Sequence, residues 1–157
     1  MSIFENSPLI TPFLWFDANA EEAVDFYLGV FPNSRKLGEF RVPGGGQLPE
    51  GMILTISFEL DGHRFTALNG GPDHAFNDAV SFVVCCHTQA EIDRYWSALL
   101  ADGGSEIACG WLKDRFGLRW QVAPARIAEW IQHPAGFQAM SQMKKLDIAA
   151  FERAVAS

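Results

Sequence analysis

The chain has 157 residues, of which 48% are hydrophobic and 20% charged. That length supports one domain with a substantial core and excludes a disordered chain. The net charge of −7 argues against a broad nucleic-acid surface, and no apolar run reaches the roughly 20 residues that span a bilayer.

Residues 10–17, Ile-Thr-Pro-Phe-Leu-Trp-Phe-Asp, read as a buried strand. Asn19 stands three residues before Glu22, the spacing of an N-cap and its reciprocal acid. Ala23, Phe26, Tyr27 and Val30 follow at the spacing of one helix face, and Pro32-Asn33 stops that helix. Residues 34–41 alternate weakly, as an edge strand would. Val42–Pro49 is a loop by composition. Residues 52–60 and 63–69 form a hairpin about Asp61-Gly62.

The same grammar then recurs 69 residues on. Phe13 becomes Phe82 in the strand Val80–Cys85, Asn19 and Glu22 become the capping box Thr88–Glu91, and the apolar stripe becomes Ile92, Tyr95, Trp96 and Leu99. Residues 105–112 lead to a turn near Asp114–Gly117, and Leu118–Val122 closes the second copy at an offset of 53 from the first hairpin. Pro124 ends that strand. Ile127, Trp130 and Ile131 suggest a short helix stopped before Pro134, and Asp147 caps a last helix carrying Ile148, Phe151 and Val155. The fold expected is α+β: two βαβββ modules, about 9–72 and 78–123, in one domain over 9–123, with a helical tail at 124–157.

Two βαβββ units in one short chain resemble the vicinal oxygen chelate superfamily, which includes glyoxalase I, extradiol dioxygenases and bleomycin-resistance proteins. Ile10–Asp17, Ala20–Tyr27, Phe31-Pro-Asn-Ser34, Phe65–Pro72, Cys109-Gly-Trp-Leu-Lys-Asp114, Gly117–Val122 and Met143–Ala150 are similar to its 3-demethylubiquinone-9 3-methyltransferase-like, or phosphonate-operon B-like, branch. The resemblance implies a homodimer and paired modules forming a cupped mixed sheet around a small-molecule cavity.

It also implies a divalent ion held by four strands. Carried over by alignment, those positions are Pro12, Leu68, Ser81 and Gln121. Proline and leucine offer no side-chain ligand, and serine and glutamine are weak neutral ones, so a tight divalent metal is not expected. His63, His74, His87 and His133 all read as exposed loop residues. A methyl donor held as in doubly wound enzymes needs a glycine-rich turn between strand and helix. Neither strand–helix turn has one, and Gly44-Gly45-Gly46 lies in a loop. The cofactor is therefore open. Cys109 reads as a packing residue rather than a nucleophile, and Lys113-Asp114 as a surface turn pair.

Strand alternation places Ser81, Arg119 and Gln121 on the cup face of the second module. Thr66, Leu68, Pro12, Leu14 and Phe16 match them in the first, while Trp15, Trp96 and Trp120 face the helix–sheet core. Trp111 walls the pocket or packs on a partner subunit. Arg119 would pair a carboxylate or phosphonate, or stand solvated at a dimer seam. Asn69 and Asn77 fix loops. The candidate ligand-binding residues are Phe16, Thr66, Leu68, Ser81, Trp111, Arg119 and Gln121. The expected function is binding of a small organic ligand, in an enzyme of unestablished reaction or in a non-catalytic, ligand-sequestering homodimer. No nucleic-acid or membrane partner is expected. Met1–Asn6 lacks the blocks of a secretory leader, and Cys85, Cys86 and Cys109 lack metal spacing, so the expected compartment is the cytoplasm.

Overall fold

A computed structural model describes residues 4–157. The chain forms two compact units, one ending at Ala75 and the other running from Phe76 to Ser157. No helix of the described residues is long and apolar enough to cross a membrane.

The first unit runs β1 (Phe13–Phe16), α1 (Ala20–Val30), β2 (Arg35–Arg41), β3 (Ile53–Leu60) and β4 (His63–Asn69). Its sheet order is β1-β4-β3-β2, with β1 parallel to β4 and the other pairs antiparallel. The β3–β4 turn needs two left-handed residues, and Asp61 (φ 49°) and Gly62 (φ 78°) supply them. Cross-strand partners put Leu14, Phe16, Ile56, Phe58, Phe65, Ala67 and Asn69 on one face. The α1 stripe of Ala20, Ala23, Val24, Tyr27 and Val30 is buried as well. Burying a side chain such as Phe58 contributes about 2–3 kcal/mol.

The helix is tied to this face by Asn69, not by Asn19. Asn19 occupies the N-cap position but makes no side-chain cap bond. The buried Asn69 Oδ1 accepts from the Ala20 N–H at 2.9 Å, and its Nδ2 donates to the Ile53 carbonyl at 2.9 Å. Asn69 is thus a buried tie between α1, β3 and β4, whereas Asn77 makes the expected local turn bond to Ala79 N–H.

The second unit runs β5 (Ser81–Cys86), α2 (Gln89–Leu100), β6 (Ser105–Glu106), β7 (Trp111–Lys113) and β8 (Arg119–Pro124). The order β5-β8-β7-β6 repeats that of the first sheet. Thr88 Oγ1 accepts from Glu91 N–H at 3.2 Å, and the Glu91 carboxylate reaches back to His87 N–H. The capping box therefore forms with its return bond one residue earlier than Thr88. Phe82, Val84, Trp120, Val122 and Leu112 share the face on which Ile92, Trp96 and Leu99 of α2 are buried.

Three helices follow, α3 (Ile127–Ile131), α4 (Pro134–Ser141) and α5 (Ile148–Ala156). The short helix α3 stops before Pro134, as its sequence suggests, and Pro134 itself is the first residue of α4, where its missing N–H costs nothing. Asp147 caps α5 by accepting from Ala150 N–H. Trp130, Leu146 and Phe151 form a buried cluster, with the Trp130 and Phe151 rings stacked at 5.2 Å. The tail is stitched to the second sheet. Cys109 and Gly110 N–H groups donate to the Met143 and Lys144 carbonyls at 2.9 and 2.8 Å. Gln89 donates to the Leu146 carbonyl and accepts from Ile148 N–H.

Candidate functional site

Each unit has a sheet face turned away from its helix-side core, and the side chains there follow from the register. In the first unit, Phe13 pairs with Thr66 and Trp15 with Leu68. Thr66 pairs with Ser57 and Leu68 with Thr55, which in turn pairs with Phe40. Two rows result, Phe13–Thr66–Ser57 and Trp15–Leu68–Thr55–Phe40.

Thr66 and Leu68 therefore lie where the sequence places them, but Phe16 does not. It is 3% exposed on the α1 side, where Leu14 is buried too, and Phe13 and Trp15 take the opposite face. The two sheets superpose by register at an offset of 68 in their first strands: Phe13 and Trp15 match Ser81 and Val83 through their partners Thr66, Leu68, Arg119 and Gln121. The helices keep the offset of 69, Ala20 matching Gln89. One extra residue between strand and helix in the second unit flips the side chains of the first strand relative to the alignment. Phe13 thus replaces Pro12 at the position matching Ser81. Trp15 leaves the helix–sheet core for the same reason. Its indole N–H donates to the Gly71 carbonyl at 3.0 Å, its ring meets His74 edge-on at 4.7 Å, and Gly70 leaves no space for a side chain beneath it.

The Thr55 and Ser57 hydroxyls on these rows are buried without a hydrogen-bond partner among the described residues, as is that of Thr11. An unmet buried hydroxyl costs about 1–3 kcal/mol.

In the second unit, the rows are Ser81–Arg119–Lys113–Ser105 and Val83–Gln121–Trp111. All four sequence candidates of this unit, Ser81, Trp111, Arg119 and Gln121, share this face. The Gln121 amide donates to Ser81 Oγ at 2.9 Å. Val83 is 60% exposed beside them. Arg119 is neither free nor simply solvated. It pairs with Asp78 at 2.7 Å and donates to the Phe76 and Gly117 carbonyls at 3.1 and 2.7 Å, which fastens the 76–78 loop.

Asp114 is buried rather than on the surface. Its Oδ1 accepts from Phe116 and Leu118 N–H, and its Oδ2 accepts from the Trp120 indole at 2.9 Å. It is a turn staple, and its lone pairs are committed. The half-buried Cys109 is left-handed (φ 54°) and serves the tail junction. Its role there left no signal in hydropathy. Cys86 is fully buried, and burial, with Glu91 and Cys85 nearby, pushes its thiol up to about 11. It is no nucleophile at neutral pH.

The donor set does not fit a tight metal site. The register puts Phe13, Leu68, Ser81 and Gln121 at the four matching positions, and two of these have no donor. Among the described residues no group of three or more His, Cys, Asp or Glu could hold a metal ion.

The sequence model of the family described as 3-demethylubiquinone-9 3-methyltransferase matches residues 8–123. Among solved structures, the chain is similar to the PhnB protein of Bacillus cereus, with 32% identity and a TM-score of 0.67 over 75% of this chain and 100% of that one. It is also similar to protein PA1353 from Pseudomonas aeruginosa, at 22% identity and a TM-score of 0.61 over 75% and 98% of the two chains. The fosfomycin resistance protein FosX of Mesorhizobium loti shares the fold at 13% identity and a TM-score of 0.57, over 80% and 98%. Among curated proteins, none matches the sequence. The family's description implies a methyl donor, and the residues do not fit the usual cradle for one. The strand–helix turns, 17–19 and 87–88, contain no glycine, and Asn69 and Thr88 already engage N–H groups at the two helix N-termini. Matched from residue 8 to the end of the second sheet, with both βαβββ units in place, the chain belongs to the 3-demethylubiquinone-9 3-methyltransferase family of the vicinal oxygen chelate superfamily.

Proposed function

We propose that the protein binds a small organic ligand on the sheet faces opposite α1 and α2 and does not transform it through a resident metal. The observation that carries this reading is the second unit's face, where the Ser81–Gln121 pair lies beside Trp111 and the exposed Val83. An aromatic and an aliphatic side chain beside oriented polar groups suit such a ligand. Against catalysis by the groups described stand the commitment of Asp114 to three donors and the neutral Cys86 thiol. A homodimer fits β5, an edge strand of its sheet, with Val83 on it 60% exposed and Val80 just before it 63% exposed. Free Cys85, Cys86 and Cys109 fit a reducing, cytoplasmic compartment.

A thermal-shift screen of aromatic and amphiphilic compounds tests the reading. A saturable stabilisation without turnover is expected. Gln121→Leu with Ser81→Ala should weaken it about tenfold, the worth of one or two hydrogen bonds. Consumption of the bound compound by catalytic amounts of protein would contradict it.

A further inference from the structure

The sheet face of the second unit opposite α2 carries two cations across from one another. Lys113 and Arg119 are direct cross-strand partners on β7 and β8, so their side chains leave the sheet on one side, close together. Like charges so placed destabilise a sheet unless an anion lies between them. Asp78 answers Arg119. Lys113 is half-buried as a residue, and its ammonium has no hydrogen bond or ion pair among the described residues. Hydroxyls flank the pair, Ser81 beside Arg119 and Ser105 beside Lys113. On the next row lies Trp111. Glu106, the nearest acid on β6, pairs with Leu112 and so projects to the other face. In a chain of net charge −7, this row retains one uncompensated positive charge.

We infer that Lys113 is a ligand-binding residue and that the ligand is an organic oxyanion, a carboxylate or phosphoryl group on an aromatic or apolar body. This rests on the small-molecule reading of the same face. The oxyanion sits at Lys113, with the Ser81 and Ser105 hydroxyls as further donors, and the body packs on Trp111 and Val83. The Arg119–Asp78 clamp holds the row in place, so the charge that attracts the ligand is that of Lys113.

The probes are benzoate, phenyl phosphate and the uncharged benzyl alcohol, titrated into 15N-labelled protein and followed at the Trp111 indole and the Lys113 amide. Benzoate or phenyl phosphate is expected to saturate, with benzyl alcohol at least about tenfold weaker. Lys113→Gln should weaken the anions about tenfold or more while Lys113→Arg retains them, as loss of one charge-assisted bond implies. Two results would overturn the inference while the binding reading stands: benzyl alcohol binding there as tightly as the anions, or anion binding that Lys113→Gln leaves unchanged. Absence of any shift on this face with all three probes would overturn both.

Discussion

Asp114 shows how one residue can belong to the fold when its chemistry suggests a site. A carboxylate at a Lys-Asp turn invites a proton-transfer reading, but here it closes the β7–β8 turn and fixes Trp120. Asp114→Ala should cost about 3–5 kcal/mol in urea denaturation, because it removes three bonds to a charged acceptor and strands their donors. A loss under 1 kcal/mol would contradict that role. Cys86 gives a pH signature. Its folded thiol is raised from 9.0 to about 11, so above pH 9 the unfolded chain loses its proton first. Stability is then complete below pH 9 and falls until about pH 11, by on the order of 2 kcal/mol. Cys86→Ala should flatten that part of the urea-derived stability profile relative to the parent. Equal slopes would contradict the assignment. Burial of this kind is invisible in sequence, where Cys85 and Cys86 differ only in the face that each takes.

At the scale of elements, hydropathy alternation exposed both sheets, and the Asp61-Gly62 pair marked its hairpin. Two things escaped it. The extra residue in the second strand–helix turn lies between patterns that each match well, so a single offset of 69 carried Phe16 to the wrong face of β1. The junction between tail and sheet depends on backbone groups of Cys109 and Gly110, which carry no hydropathy. Gly110 (φ 86°) has space for no side chain: a Cβ there would lie 2.8 Å from Leu146 Cδ1 and 3.0 Å from the Val122 carbonyl. Gly110→Ala should therefore cost about 2–4 kcal/mol by strain and overpacking. Gly38→Ala, with nothing within 4 Å of the new methyl, should change stability by about 0.5 kcal/mol or less. Equal effects in a denaturation series would contradict the junction.

For the whole molecule, the duplication explains where function can lie. Each unit commits one sheet face to its helix-side core and leaves the other lined by side chains of a different kind. These are aromatic and hydroxyl-bearing in the first unit, and cationic, amide-bearing and aromatic in the second. On the second face, strand alternation alone placed Ser81, Arg119 and Gln121, whereas Trp111 joins them only through its register partner Gln121. The first was legible only in β4. Leu68, Ser81 and Gln121 keep the positions read from the sequence, and Phe13 takes the one assigned to Pro12. The central claim is that these faces bind a small organic molecule. Chemical-shift mapping of a fragment library on the labelled protein tests it most directly. The account predicts saturable shifts concentrated at Ser81, Trp111, Gln121 and Val83, with Trp15 and Leu68 the corresponding reporters in the first unit. Binding confined to the helix-covered faces, or no saturable shift from any fragment, would contradict it.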